Sequence, residues 1–551
     1  MKAELSRRAA LRALAGFPAL MAAGAAAGSR EDFAAAIARD PRLIAFATAR
    51  AESFAAPLKT VSGRLPAGLA GILWRNGPAE HERFGRRYTH WFDGDGMVQA
   101  HVFADGGVTH RARILDTPKR RRETRAGKRI LPSFGTPGPA ALRGPDDMNV
   151  ANTAMLAHAG RLMALWEGGS ALAVDPDTLA AREFVAWRPD LAGLPFSAHP
   201  KIEPDGTLWN IGFATRPRPA LLLYRIDRSG RRVAANLLPD MGPLGMVHDF
   251  VVTARHLVVL LTPFVIDGAP SHATFLDAHA WRPGLGTRAV VVDKNTLQPV
   301  RHHELPPGFH FHHGNGWEEP DGTIRLDLCQ APDPGFVTGD LRDVMRGALD
   351  FRSAHPRYRV AVLRPDGGAG IEDGAPGLAE FPRIDGRYTA RRHRKLFALT
   401  GDGHADGWPL RAAARLDPEG GSMDAWTYPR HQIPEEHVFV ARGPEEGEGW
   451  LIGPYIDTRR QAAGLYLFEA GRIADGPLWQ GVLPYPLPMA LHGMFAASRT
   501  GAAPPSQKRS TQGRITWHYA PDRVAGRPAP RCRPFIEAGS RNICQSLGRP
   551  I

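Results

Sequence analysis

Four of the 22 histidines stand at the edge of a strand-like segment, each inside a short phrase. They are His199 in Phe196-Ser-Ala-His-Pro-Lys201, His248 in Met246-Val-His-Asp-Phe250, His312 in Phe311-His-His-Gly-Asn-Gly-Trp-Glu318 and His492 in Leu491-His-Gly-Met-Phe495. The gaps between them are 49, 64 and 180 residues, so no turn or single helix gathers them. A closed fold that brings distant strand ends to one axis does. A neutral imidazole set with no carboxylate or thiolate suits a borderline transition metal such as Fe(II).

These phrases resemble the carotenoid cleavage oxygenase family, which includes the retinal-pigment-epithelium isomerase and the lignostilbene dioxygenases. The resemblance runs from about residue 60 to about 495 and also covers Trp91-Phe-Asp-Gly-Asp-Gly-Met97 and Glu380-Phe-Pro-Arg-Ile384. Any single phrase is weak; six in family order are specific. The resemblance implies an all-β, seven-bladed β-propeller with a few short helices and loops capping an axial site. It implies one Fe(II) held by His199, His248, His312 and His492, and O2-dependent scission of a conjugated C=C bond into two carbonyls. Three outer carboxylates are implied as well: Glu167 in Leu165-Trp-Glu-Gly168, Glu380, and Glu436 in Glu436-His-Val-Phe439, with Glu435 adjacent. A ligating imidazole usually donates its second N–H to such a group, which fixes tautomer and orientation.

The cluster His310, His312, His313 needs a choice. The family phrase places the ligand three residues before Asn315, which selects His312. Strand alternation puts His310 on the same face and His313 on the other. Other motifs are unpersuasive. Gly94-Asp-Gly96 lacks the remainder of a dinucleotide fingerprint, GxSxG and HExxH are missing from the sequence, and Asp93 with Asp95 lacks calcium-loop spacing.

The elements that must position these residues are short strands. The 551 residues include 60 Gly and 49 Pro, and turn pairs punctuate apolar runs such as Arg161-Leu-Met-Ala-Leu165, His256-Leu-Val-Val-Leu-Leu261 and Tyr358-Arg-Val-Ala-Val-Leu363. That pattern fits a radial array of antiparallel sheets. Helices are expected to be few, first among them Arg30 to Ala47, interrupted at Pro41, and Asp340 to Leu349.

Charge is concentrated at the ends. Of the formal +13, residues 1–27 hold +3 and residues 499–551 hold +8, which leaves a nearly neutral body and argues against nucleic acid. The run Ser6-Arg-Arg-Ala-Ala-Leu11 with the Ala-rich stretch to Ala27 resembles a twin-arginine export signal, so a periplasmic location is expected, or a cytoplasmic one if the segment is an ordinary amphipathic helix. The expected division is this signal over 1–27, a propeller over 28–498, and a basic Pro/Arg-rich solvated tail over 499–551. Three cysteines give no disulfide framework.

Substrates of the resembled family are apolar polyenes or aryl-alkenes. Either needs an aromatic-walled tunnel, for which Trp91, Phe92, Trp166, Phe264, Phe309 and Tyr485 are candidates. A carotenoid or apocarotenoid is the first expectation. A stilbene-type phenolic alkene is the second, with Tyr88 and Lys119 as polar anchors. A propeller that only binds is the third. Lys119-Arg-Arg-Arg122 reads as a solvated loop, or as a peripheral contact for an anionic membrane.

Overall fold

The strand-rich body gathers into seven antiparallel four- to six-stranded sheets, with two small two-stranded ones beside them. The structure is a computed structural model describing residues 30–214, 219–239, 241–267, 274–403 and 408–498. The expected export signal over 1–27 and the tail over 499–551 lie outside these residues.

Five sheets are continuous in sequence. Blade 2 starts at Ala154–His158, blade 3 at Lys201–Ile202, blade 4 at Val251–Val252, blade 5 at Phe309–Glu318 and blade 6 at Leu378–Ile384. The other two are shared between the chain's ends. Blade 7 holds Gln432–Pro434, Val438–Ala441 and three later strands, closed by the early strand Lys59–Gly63. Blade 1 holds four early strands and receives His492–Ala497, which pairs with Gly71–Glu80. Seven blades with this mutual closure are a seven-bladed β-propeller, as the resemblance implies.

Strand chemistry explains the ring. In His256–Leu261, Leu257, Val259 and Leu261 pack toward blade 3, whereas Val258 and Leu260 pack toward blade 5. Both faces of a central strand are therefore buried, and the sequence reads as an unbroken Val/Leu run rather than an alternation. Seven apolar clusters of this kind bridge the seven pairs of neighbouring blades. Outer strands such as Lys59–Gly63 are exposed along their length.

Helices and loops cover one end. Arg30–Arg39 is α-helical, and Asp40 then caps the 3-10 helix Pro41–Phe46 by accepting the Arg42 N–H at 3.0 Å, the break expected at Pro41. The second expected helix starts four residues early, as a π-helical turn over Phe336–Asp340, and ends by Gly347 at φ 86°.

Lys119 to Arg122 requires a correction, because this segment is the helix Pro118–Ala126 and not a solvated loop. Thr117 caps it, Pro118 sits in the first turn, and Gly127 ends it at φ 63°. Its cations are paired: Arg120 with Glu80 and Glu52, Arg121 with Asp116, and Arg122 with Asp147. Among the described residues no helix is long and apolar enough to cross a membrane.

Candidate metal centre

The four histidines enter from four strand starts. His199 precedes blade 3, His248 precedes blade 4, His312 lies in the first strand of blade 5, and His492 opens the closing strand of blade 1. One ligand atom from each lies within 4.8 Å of all the others. Nε2 of His199 is 2.8 Å from Nε2 of His248, and Nε2 of His312 is 3.2 Å from Nε2 of His492.

Three of the rings have their other nitrogen on a carboxylate. Nδ1 of His312 meets Glu380 Oε2 at 2.5 Å, Nδ1 of His492 meets Glu436 Oε1 at 2.8 Å, and Nδ1 of His248 meets Glu167 Oε2. A carboxylate accepts only, so each Nδ1 carries the proton and each Nε2 presents a lone pair. Inward-facing lone pairs at about 3 Å repel unless a cation sits among them. Imidazole–metal bonds of about 2.1 Å at right angles would put neighbouring nitrogens about 3.0 Å apart, the spacing found here. The residues present therefore fit a divalent transition metal.

Electrostatics agree for two of the four rings; at His312 burial favours the neutral form, but Glu380 outweighs it and holds the ring above the ordinary histidine range. Burial, with the three other imidazoles beside it, holds His199 well below the usual histidine range, and burial takes His492 down to about 4 despite Glu436. Both are neutral, ligand-ready rings at pH 7. Burial opposes the charge on Glu436 too, but Arg383 and His492 outweigh it and hold the carboxyl well below its ordinary value. Glu435, one residue away, turns elsewhere, to Arg75 at 3.3 Å and the Ala490 N–H at 2.7 Å.

The expected face for His310 was wrong. Phe309–Glu318 carries a β-bulge between His310 and His313, where three steps oppose two on Ile324–Ala331. The extra residue reverses the parity, and His310 stacks beside His313 with ring centroids 4.8 Å apart. Neither joins the four.

The tunnel candidates divide. Trp91, Phe92, Phe264 and Phe309 share one apolar cluster under the helical cover. Phe311, which the sequence reading missed, links that cluster to the centre: its ring stands 4.7 Å from His248, 5.1 Å from Phe309 and 6.0 Å from Phe92. Its signal was available, since it opens the His312 phrase. Trp166 instead folds over its own turn, where a Cβ on Gly168 would come within 2.7 Å of the indole. Tyr485 packs between blades 1 and 7 against Phe54 and bonds His110 at 3.0 Å. That position removes it from the wall. Also missed were Phe381, at φ 56° with its ring 5.2 Å from His312, and Arg383, which grips Glu436.

Asp93 and Asp95 do other work. Asp93 accepts from the Gly135 N–H at 3.0 Å and the Thr136 hydroxyl at 2.5 Å, and Asp95 faces Lys119 and Arg83.

A seven-bladed propeller with imidazoles converging on its axis is a narrow class. Residues 46–497 match the Retinal pigment epithelial membrane protein family, and the chain belongs to it. The apocarotenoid-15,15'-oxygenase of Synechocystis is 28% identical over 474 residues, covering 80% of this chain and 93% of that protein. A lignostilbene-alpha,beta-dioxygenase isozyme of Sphingomonas paucimobilis is 29% identical, covering 79% and 93%. A crystal structure of cobalt-substituted Synechocystis apocarotenoid oxygenase superposes with a TM-score of 0.74 at 26% identity, over 83% of this chain and 99% of that one.

Proposed function

We propose that the protein is an Fe(II)-dependent oxygenase that splits a conjugated C=C bond with O2 into two carbonyl compounds, and that its alkene carries a phenol. The convergence of four carboxylate-backed imidazoles supports the first part. Bound there, Fe(II) would supply O2 activation with positions left open beside four nitrogen ligands. Each carbonyl product takes one atom of O2. The chain's own part is to hold the rings in one tautomer, to exclude water with Phe311 and its aromatic neighbours, and to fix the alkene's depth.

One observation favours the phenolic substrate over the polyene. Tyr88 lies in the same apolar cluster as Trp91 and Phe309, and its hydroxyl accepts from Lys119 Nζ at 2.8 Å. Both side chains are fully buried. Burial opposes charge on Lys119, yet Asp95, Tyr88 and Glu123 hold its ammonium well above the ordinary range, while burial keeps Tyr88 a neutral phenol. The indole N–H of Trp91 is buried nearby with no protein acceptor. Lys119 is matched by Tyr88, Glu123 and Asp95, and the Tyr88 hydroxyl donates to Asp95 at 3.4 Å, so the Trp91 N–H is the unmatched donor that a phenolic oxygen would serve and a hydrocarbon would not.

Oxygen uptake and aldehyde formation with a 4-hydroxystilbene and with an apocarotenal test this. Turnover of the hydroxystilbene is expected, with Lys119→Met raising its KM at least tenfold. Turnover of the apocarotenal alone would overturn the phenolic reading and leave the oxygenase standing. Inertness of the iron-loaded protein toward both would leave a binding propeller.

A further inference from the structure

Of the three carboxylates behind the imidazoles, one is held in a way the others are not. Glu436 receives a two-pronged grip from Arg383, Nε to Oε1 and Nη2 to Oε2, both at 2.9 Å. The same Nη2 donates to the Gly493 carbonyl at 2.8 Å, and the Gly493 N–H returns to Glu436 Oε2 at 2.8 Å. Among the described residues no arginine or lysine pairs with Glu167 or Glu380. Arg383 stands in blade 6, Glu436 in blade 7 and His492 in blade 1, so this closed set of bonds ties three blades across the seam where the chain's end rejoins its beginning.

The need for such a device follows from connectivity. His199, His248 and His312 sit on blades built from continuous chain, whereas His492 arrives 180 residues after His312 on a strand whose sheet partner was made at the other end of the sequence. Its position along the axis is set by the pairing of His492–Ala497 with Gly71–Glu80 and by what its Nδ1 reaches. Bidentate guanidinium–carboxylate pairing is geometrically stiff, and Lys cannot reproduce it.

We propose that Arg383 is a positioning residue for the metal centre: by locking the Glu436 carboxylate and the Gly493 carbonyl together, it fixes the ring orientation and donor strength of His492. The inference rests on the reading of the four imidazoles as metal ligands. Arg383 also lines a cavity of about 280 Å³ on the propeller axis, together with Lys201, Asn315 and His492, so a small ion has space to reach its place.

The experiment uses the full chain and cobalt(II) as the probe. Cobalt affinity and the visible absorption of bound cobalt are measured for wild type, Arg383→Lys and Arg383→Ala, the last with and without guanidinium below denaturing concentrations. Wild type should bind one cobalt. Arg383→Ala should bind about 10–100-fold more weakly with a changed spectrum, as outer-shell changes do. Guanidinium should restore both, and Arg383→Lys should restore neither fully. Wild-type affinity and spectrum in Arg383→Ala would overturn the proposal. So would an unfolded Arg383→Ala that guanidinium leaves unrescued, since Arg383 would then be a brace of the seam alone. A wild-type protein that binds no cobalt would instead sink the metal reading beneath it.

Discussion

His310, His312 and His313 compete for one role within four residues, and the structure gives the physical reason for the winner. Only His312 has a carboxylate on Nδ1 and a second imidazole at its Nε2. His313 is held by its backbone N–H on Asp249 Oδ2 at 2.9 Å, with its ring beside His310. We expect His312→Ala to lose metal, read by elemental analysis of the purified protein, while His310→Ala and His313→Ala keep near-stoichiometric metal. Retention by His312→Ala together with loss by His313→Ala would place the ligand one residue further on.

At the scale of elements, the 3-10 helix Pro41–Phe46 shows how a cap governs a site at a distance. Asp40 caps it, and Phe46 at its end stands edge-on to Trp91 with centroids 5.4 Å apart. Asp40→Ala should cost about 1 kcal/mol, the usual value of a lost N-cap, seen as a lower urea midpoint. An unchanged midpoint would mean that packing of Leu43, Ile44 and Phe46 alone holds the element. Signals of this local kind were readable in advance: Pro41 marks the break, and the histidine and glutamate phrases lead to residues that the fold does bring together. What escaped depends on register. One extra residue between His310 and His313 inverts a face, and pairing across the strands, not composition, decides where the bulge falls. Lys119 to Arg122 looked like a loop because four cations in a row suggest solvent, although Thr117, Pro118 and Gly127 spell a capped helix. Tyr485 is near His492 in sequence, yet it packs into the apolar layer between blades 1 and 7.

Across the whole molecule, buried neutral histidines set the response to acid. Burial lowers His90, His110 and His437 to about 3 and His279 to about 4, from an ordinary 6.5. Their folded-state values are depressed, so the unfolded chain takes up protons first. The stability they allow is complete above about 6.5 and falls as pH drops toward 4 and 3, by about 1.4 kcal/mol per unit for each group. The urea midpoint should therefore decline between pH 6.5 and about 5, before most carboxylates titrate. His110→Gln should flatten part of that slope. A midpoint level across this window would contradict the assignment of these rings as neutral and buried.

The closing strand has a temporal meaning as well. During synthesis the nascent chain exposes three imidazoles long before His492 emerges, and blade 1 cannot close until the last strand reaches Gly71–Glu80. A ribosome that stops early releases a chain with an open ring and three-quarters of a ligand set. The four-imidazole set is thus complete only once translation has passed residue 492 of the 551.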